Sequence, residues 1–183
     1  MQYDYQSPWF TEALETEDKL IINQLNSKEI ADICIVGGGY TGLWTAINIK
    51  EKNPNTNVTL IEKDLCGSGA SGRNGGCMIP LSSKFPAMKK IVGTKDAIRM
   101  VKASEEALQK IKKFCERNKI DANIRINGIV YSATNKKHRG GFENLINDLK
   151  ENNINSWERL SIEKIQKLTG SNRNIDGYFS PIG

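Results

Sequence analysis

The chain has 183 residues, of which 38% are hydrophobic and 26% charged, and its formal net charge is +5. This length suits one domain of ordinary size with a buried core. No apolar run approaches the roughly 20 residues of a membrane-spanning helix, and the opening MQYDYQSPWF has no signal-peptide pattern. The lysines alternate with acidic residues, which is typical of solvated helix faces. The composition predicts a cytoplasmic protein with no membrane span and no nucleic-acid partner.

Residue types that commonly bind metals or catalyse reactions are few. The four cysteines, Cys34, Cys66, Cys77 and Cys115, include no CxxC pair. Without a secretion signal they are predicted to be reduced thiols rather than disulfides or metal ligands. Cys34 falls in an apolar segment and is predicted to be a small core residue. His138 is the one histidine, and its polar surroundings predict a solvated side chain, so no catalytic residue and no metal site are assigned.

The predicted elements begin with a polar arm, residues 1–30, which contains a short helix around residues 12–25. Residues 30–36, IADICIV, are short and mostly apolar, and they predict a buried strand. Residues 41–52 have the apolar stripe of a helix, and residues 58–62, VTLIE, predict a second strand. Together these elements form a β-α-β unit, which requires a parallel sheet and a right-handed crossover.

Further along the chain, residues 67–76 contain five glycines and predict a loop without regular structure. The hydrophobic periodicity then predicts a long helix with Thr94 as its N-cap, a strand and two shorter helices, the last capped by Ser161. These elements are expected at residues 94–118, 124–133, 141–151 and 162–168. The order of elements predicts an α/β fold.

A glycine-rich turn separates the first predicted strand from the first predicted helix of the β-α-β unit. Gly37, Gly39 and Gly42 fit the pattern G-x-G-x-x-G. In that pattern the first glycine makes the tight turn, the second lets a pyrophosphate approach the backbone, and the third lets the helix lie close to the strand. The helix N-terminus offers N–H groups and a partial positive charge to phosphates.

An acidic residue at the end of the second predicted strand supports nucleotide binding. Glu62 follows Gly42 by 20 residues, where the pattern places an acid that accepts hydrogen bonds from the adenosine ribose. Lys63 comes next, but an acid at this place disfavours the 2′-phosphate of NADP. The spacing predicts a dinucleotide site and leaves both FAD and NAD open.

A second glycine-rich stretch, CGSGASGRNGGCM at residues 66–78, starts four residues after Glu62. Its N–H donors and small side chains suit the close passage of a flat or anionic ligand. The segments DICIVGGGYTGLWTAINI and VTLIEKDLCGSGASGRNGG resemble the start of the D-amino-acid-oxidase-like (DAO) family of FAD-dependent oxidoreductases. The wording GASGRNGG is closest to the γ-glutamylputrescine oxidoreductase branch. The resemblance is close over residues 32–76 and looser up to residue 183.

The resemblance implies that FAD is the cofactor and indicates which residues hold it. Glu62 would hold the adenosine ribose, and the first glycine loop would line the pyrophosphate. The second would run beside the pyrophosphate, the ribityl chain and the flavin edge, with Arg73 as a charge partner. The candidate cofactor-binding residues are Gly37, Gly38, Gly39, Tyr40, Thr41, Gly42, Glu62, Lys63, Ala70, Ser71, Arg73, Asn74, Gly75 and Gly76.

The resemblance also implies a Rossmann-like, glutathione-reductase-like FAD-binding fold that begins with the β-α-β unit and continues into part of an α+β substrate domain. Residues 31–183 would then be an incomplete oxidoreductase domain. Within it, residues 31–80 would bind FAD and residues 94–183 would lead into the substrate domain. Members of the family are much longer, so we expect this chain to be the N-terminal part of a longer reading frame.

The implied reaction oxidises the C–N bond of a small amine or amino acid. A hydride equivalent passes from the carbon next to nitrogen to the flavin, the product is an imine that hydrolyses, and dioxygen or another acceptor reoxidises the flavin. Two alternatives stay open. One is a non-catalytic nucleotide-binding fragment, and the other is an NAD-dependent dehydrogenase, which the G-x-G-x-x-G pattern and Glu62 would equally suit.

Overall fold

The computed structural model describes residues 7–16 and 23–183, which form five α-helices and five strands. In chain order these are α1 (Pro8–Thr16), β1 (Ile33–Val36), α2 (Tyr40–Lys52), β2 (Val58–Ile61), α3 (Phe85–Arg117), β3 (Ile129–Ala133), α4 (Glu143–Glu151), β4 (Glu158–Arg159), α5 (Ile162–Thr169) and β5 (Asp176–Ser180). The chain divides after Gly76 into two compact units. In the described ranges no helix combines the length and apolar character that crossing a membrane requires.

The first unit contains the predicted β-α-β arrangement. Strands β1 and β2 pair in parallel, with Ile33 opposite Val58 and Val36 opposite Ile61. The Asp32 carboxylate, just before β1, accepts a hydrogen bond of 2.9 Å from the backbone N–H of Asn57. This contact aligns the first residues of the two strands, so that their carboxyl ends also lie side by side. The predicted strand, helix and second strand are confirmed in type and order.

The prediction that β1 is a buried strand with Cys34 in a core is wrong. Three of its four residues are exposed, Cys34 among them, and Val36 is 81% exposed. In the described part of the first unit, β1 pairs only with β2. The apolar character of β1 therefore indicates a strand that could be covered on both faces, although the described residues do not bury it.

Helix α1 lies in the predicted N-terminal arm but begins earlier than expected. It starts at Pro8, whereas the sequence predicts a helix around residues 12–25. Proline is favoured in the first turn of a helix because its missing N–H would have no intrahelical partner there. Residues 1–6 and 17–22 of the arm lie outside the described residues, and residues 23–32 contain no helix or strand.

In the second unit, α3 is longer than the predicted helix and is interrupted at Gly93. The φ and ψ angles of Gly93 are 79° and 165°, which no helical residue adopts. The predicted helix at residues 94–118 corresponds to the part after this break, so Thr94 follows the interruption. The earlier part, residues 85–92, is a helical segment that the periodicity did not reveal.

The second unit also contains a three-stranded antiparallel sheet in the order β3-β5-β4. The sequence predicts β3 but neither β5, with which it pairs, nor β4, which pairs with β5. Strand β3 is shorter than predicted and starts after Gly128, whose φ of 90° is not that of a strand residue. The last predicted helix is confirmed as α5, and the Ser161 hydroxyl accepts its capping bond from the Lys164 N–H at 3.3 Å.

The hydrophobic core of the second unit is formed where α3 and α4 pack beside the sheet. Phe85 is fully buried in it, and Leu149 is 1% exposed. Trp157 is also buried, and its indole N–H donates to the Ser82 hydroxyl at 2.9 Å. The other members of this cluster are Ala97, Val101, Leu145, Ile146, Ile154 and Tyr178.

Candidate functional site

Two glycine loops meet in the first unit. We call residues 37–42 the first glycine loop and residues 67–76 the second. The backbone N–H of Gly67 donates to the carbonyl of Gly38 at 2.9 Å. The backbone N–H of Tyr40 donates to the Ser71 hydroxyl at 3.0 Å. The two stretches that the sequence associates with one ligand are therefore neighbours in space.

The first glycine loop folds back on itself more closely than a side chain would allow. A Cβ atom on Gly42 would lie 2.0 Å from the Gly37 carbonyl oxygen and 3.3 Å from the Ile35 side chain. Gly37 itself has a φ of 102°, which disfavours other residues. These two positions give the tight turn and the close approach of α2 to β1 that the pattern predicts.

The N-terminus of α2 presents backbone donors at this turn. Helix geometry leaves the first N–H groups without a carbonyl four residues earlier. The first intrahelical bond here is from the Leu43 N–H to the Gly39 carbonyl, at 3.0 Å. The N–H of Tyr40 is used by Ser71, whereas those of Thr41 and Gly42 precede the first intrahelical bond. An anion at this end of α2 would find these donors and the positive end of the helix dipole.

Glu62 follows β2 directly. Its carboxylate accepts hydrogen bonds from the first glycine loop and from a residue just after β2. One oxygen accepts a 2.6 Å hydrogen bond from the Gly38 N–H, and the other accepts a 3.1 Å bond from the Asp64 N–H. These N–H groups, Gly38 first, lower the pKa of Glu62 below its ordinary value. The side chain is therefore ionised near neutral pH, and a carboxylate oxygen can accept more than one hydrogen bond.

A cleft of about 340 Å³ opens between Glu62 and the second glycine loop. Six of the candidate cofactor residues line it: Gly39, Glu62, Lys63, Ala70, Ser71 and Arg73. A Cβ atom on Gly39 would lie 3.0 Å from the Ser71 hydroxyl. A side chain at that position would therefore narrow the gap between the two loops. The cleft also has lining residues that the sequence did not single out, namely Asp64, Gly67, Ser68 and Gly69.

The second glycine loop is held by its own polar groups. Arg73 Nε donates to the Ser68 carbonyl at 3.0 Å, which places the cation at the cleft. The Asn74 side-chain amide donates to the Ser71 carbonyl at 2.7 Å and accepts from the Gly76 N–H at 2.8 Å. The only regular structure in the loop is a single 3₁₀ turn, Ala70–Gly72. Hydrogen bonds within the loop, rather than a helix or strand, define its shape.

The other candidate residues lie beside the cleft instead of lining it. Gly38 is buried, and its N–H is the donor to Glu62. Thr41 contributes to a separate groove along α2 with Trp44. The remaining residues of this group are Gly37, Tyr40, Gly42, Asn74, Gly75 and Gly76, all of them in the two glycine loops.

The single histidine of the chain is not among the residues that line this cleft. His138 lies in an exposed turn, Lys136–His138, of the second unit, as the sequence predicts. Within residues 7–16 and 23–183, no group of three or more His, Cys, Asp or Glu side chains is arranged to hold a metal ion. The cleft is lined by the Glu62 carboxylate and the Arg73 cation, and the N–H groups at the start of α2 follow Gly39, which also lines it.

Three known proteins illustrate what the chain resembles. It is 32% identical over 145 residues to the γ-glutamylputrescine oxidoreductase of Escherichia coli K12, covering 79% of this chain and 32% of that protein. It is 39% identical over 93 residues to a probable oxidoreductase, OrdL, of Rhizobium meliloti, covering 50% and 21%. It is 26% identical over 135 residues to an L-2-hydroxyglutarate dehydrogenase of Indibacter alkaliphilus, covering 73% and 31%. The chain therefore spans at most about a third of each of these three relatives.

The family comparison covers the part of the chain that contains both glycine loops. A model of the family described as FAD dependent oxidoreductase, DAO, matches residues 32–183. The cofactor of this family is FAD, which favours FAD over the NAD alternative, and its FAD-binding fold is Rossmann-like. This match begins at β1 and extends to Gly183. The chain belongs to the DAO family of FAD-dependent oxidoreductases.

Proposed function

We propose that this chain supplies the FAD-binding part of an enzyme that oxidises the C–N bond of an amine or amino acid. The observation that carries the proposal is the contact of the two glycine loops around the cleft beside Glu62. The substrate class is supported by the γ-glutamylputrescine oxidoreductase relative, whose name specifies an amine derivative. The second unit is proposed to be the start of the substrate domain.

The residues present fit FAD in charge and in space. The N–H groups at the start of α2 and Arg73 suit the two negative charges of a pyrophosphate. Glu62 is an ionised acceptor that suits ribose hydroxyl groups. The missing side chain of Gly39 leaves the space into which a Cβ atom would project, 3.0 Å from Ser71. We assign the pyrophosphate to the first glycine loop and the adenosine ribose to Glu62.

The chemistry that FAD supplies when bound is acceptance of a hydride equivalent from the carbon next to nitrogen. The chain's own residues bind and orient the cofactor. The main-chain N–H groups of Thr41 and Gly42 would donate hydrogen bonds to the pyrophosphate, and Arg73 places a positive charge at the cleft. Glu62 accepts the hydrogen bond of the Gly38 N–H and so holds the first glycine loop in place beside the end of β2. No side chain described here is assigned the removal of a proton from substrate.

The first experiment tests the cofactor assignment through Gly39→Val. The purified chain is titrated with FAD, and binding is followed by quenching of flavin fluorescence. The added side chain fills the gap towards Ser71, so we expect FAD affinity to fall by at least about tenfold. Thr45→Val is the matched control, since Thr45 is an exposed residue of α2 outside the lining of the cleft. Equal FAD affinity of Gly39→Val and the wild type would contradict the placement of the pyrophosphate.

The second experiment tests the reaction. The FAD-loaded protein is mixed anaerobically with amines and amino acids, and loss of flavin colour is measured. Reduction by an amine supports C–N oxidation, whereas binding of FAD without reduction by any substrate supports the alternative of a non-catalytic nucleotide-binding chain. A 2-hydroxy acid belongs in the same series, because the L-2-hydroxyglutarate dehydrogenase relative makes C–O oxidation the second candidate.

A further inference from the structure

Helix α1 contacts the second glycine loop although it lies outside the region that matches the DAO family. That match begins at residue 32, and α1 ends at Thr16. Three residues at the start of this helix contact the loop: Ser7, which directly precedes α1, and Trp9 and Phe10 within it. All of these contacts lie within the first unit. They are not accounted for by the family resemblance or by the proposed reaction.

Two hydrogen bonds join α1 and the residue before it to main-chain carbonyls of the loop. The Ser7 hydroxyl, which is buried, donates to the Gly72 carbonyl. The Trp9 indole N–H donates to the Asn74 carbonyl at 2.8 Å. Both acceptors are backbone atoms separated by one residue, Arg73. The segment that carries the cation of the cleft is therefore held on one side by Ser7 and on the other by Trp9.

Aromatic rings of α1 lie against glycines of the same loop. A Cβ atom on Gly72 would lie 3.4 Å from the Phe10 ring, and one on Gly67 would lie 3.8 Å from it. A Cβ atom on Gly76 would lie 3.9 Å from the Trp9 ring. These are van der Waals distances, so the two rings lie directly against the second glycine loop. The Trp9 side chain remains 54% exposed.

The contact with Trp9 continues to the cleft through Asn74 and Ser71. The carbonyl of Asn74 accepts from Trp9, while the side-chain amide of Asn74 donates to the Ser71 carbonyl at 2.7 Å. The Ser71 hydroxyl accepts from the Tyr40 N–H at the start of α2. A shift of Asn74 would therefore move the residue that joins the two glycine loops.

From these contacts we infer that α1 is a positioning segment of the cofactor site and that Trp9 is its principal positioning residue. Trp9 holds the Arg73–Asn74 part of the second glycine loop in the conformation that receives the diphosphate-containing cofactor. The inference rests on the proposed binding of FAD at the cleft. It adds that a helix preceding the family's matched region sets the affinity of that site.

The test compares Trp9→Phe, which keeps a ring but lacks the indole N–H, with Trp9→Ala, which lacks both. FAD dissociation constants are measured in the 183-residue chain by flavin fluorescence. Loss of one hydrogen bond is expected to weaken FAD binding by about threefold to tenfold in Trp9→Phe, and Trp9→Ala is expected to bind more weakly still. Glu15→Ala, at an exposed position of the same helix, is expected to match the wild type.

A second measurement needs no cofactor. Hydrogen exchange by NMR reports the loop amides of Gly72, Arg73 and Gly76, each of which donates a hydrogen bond within the loop. In the FAD-free chain we expect these amides to exchange faster in Trp9→Phe, while amides of β3 and β5 are unchanged. A role in helix stability alone would not separate the loop from the rest of the chain in this way.

A third measurement observes Trp9 itself. In the chain labelled with 5-fluorotryptophan, the ¹⁹F resonance that disappears in Trp9→Phe belongs to Trp9. Addition of FAD is expected to shift this resonance and to leave that of Trp157, in the core of the second unit, in place. Such a shift would link the indole to the cofactor site and not only to the fold of α1.

The outcomes separate the two proposals. Suppose that the wild type binds FAD and that both Trp9 variants have the same FAD affinity and the same hydrogen exchange in the loop. This result would overturn the role of α1, and the proposed cofactor site would stand. Failure of the wild type to bind FAD would overturn the proposed function. In that case the hydrogen exchange of the loop amides alone decides whether α1 holds the second glycine loop. Exchange that is the same in the Trp9 variants and the wild type would overturn the role of α1 as well.

Discussion

The two units of this chain are built on different principles. In the described part of the first unit, Leu65 is the one buried hydrophobic side chain, whereas the other buried hydrophobic residues all lie in the second unit. The first unit is shaped by hydrogen bonds between backbone segments, such as Gly67 to Gly38. The second is shaped by aromatic and aliphatic packing around Phe85 and Trp157.

The difference suggests where each unit obtains its stability. Burial of apolar surface is the dominant favourable contribution to folding, and the second unit contains most of it. The first unit exposes apolar residues of β1, and it presents donors and a carboxylate at a cleft. We therefore expect bound FAD to contribute more to the first unit than to the second, because a ligand stabilises the structure that binds it.

The largest expected effect comes from a substitution in the hydrophobic core of the second unit, which tests the contrast in burial between the units. Phe85→Ala removes a fully buried ring from the second unit, and we expect it to lower the free energy of unfolding by about 3–5 kcal/mol. Val36→Ala in the first unit removes two methyl groups that are largely exposed, so its cost is expected to stay within about 0.5 kcal/mol. Urea denaturation followed by circular dichroism measures both.

One outcome for Phe85→Ala and Val36→Ala would contradict this prediction. If Val36→Ala costs as much as Phe85→Ala, β1 is covered in solution, and the contrast in burial between the units would not hold. The emission of Trp157 provides an independent signal, because this residue lies in the core that Phe85→Ala disturbs.

The second prediction concerns FAD and the first unit. At about 100 times its dissociation constant, a ligand adds about 2.7 kcal/mol to the structure that binds it. We expect FAD to slow hydrogen exchange at amides of β1, α2 and β2 by the corresponding amount, with little change in β3 and β5. Exchange slowed equally in both units would show that FAD acts on the whole chain and would contradict the division.

The smallest expected effect is the pH dependence that Glu62 imposes on the site. Its pKa is lowered by the N–H groups of Gly38 and Asp64. The ionised carboxylate therefore makes its full contribution above the ordinary glutamate pKa of about 4.3, and that contribution is lost as the pH falls through the lowered pKa. FAD affinity and thermal stability should both decrease as the pH is lowered from neutral into this acidic range.

Glu62→Gln isolates the contribution of this carboxylate from those of the other acidic residues. Glutamine keeps an oxygen that can accept from Gly38 but cannot ionise, so the variant should bind FAD more weakly at neutral pH and show less change on acidification. Thermal melts and FAD titrations at matched pH values measure the difference. Parallel pH profiles of the wild type and the variant would show that Glu62 does not control this dependence.

The sequence predicted the β-α-β unit because everything that defines it is local. The turn at Gly37, the close approach at Gly42 and the acid at Glu62 lie within one short stretch, and the structure brings them together. The identity of the family was likewise predicted, since the two glycine-rich signatures are specific. The roles of individual cofactor residues remain predictions that the titrations above address.

Burial and long-range pairing were not predictable in the same way. The apolar sequence of β1 indicates what the strand can pack against, but exposure depends on neighbours, and in the described residues only β2 pairs with it. Strand β5, with the residues DGYFS, was not predicted. Its partner β3 lies far away in the sequence. The aromatic pair Tyr178–Phe179, preceded by glycine and followed by Pro181, is the local signal that could have indicated a strand.

Gly38 uses both of its main-chain polar groups to join separate parts of the first unit. Its N–H is bound by the Glu62 carboxylate, and its carbonyl accepts from the Gly67 N–H. Only the first of these links depends on a side chain, so a single substitution at position 62 can remove it. The second joins backbone atoms alone, but Gly67 has a φ of 84°, which disfavours every other residue there. Natural variation in homologous chains should therefore be restricted at both ends, to an acid at position 62 and to glycine at position 67.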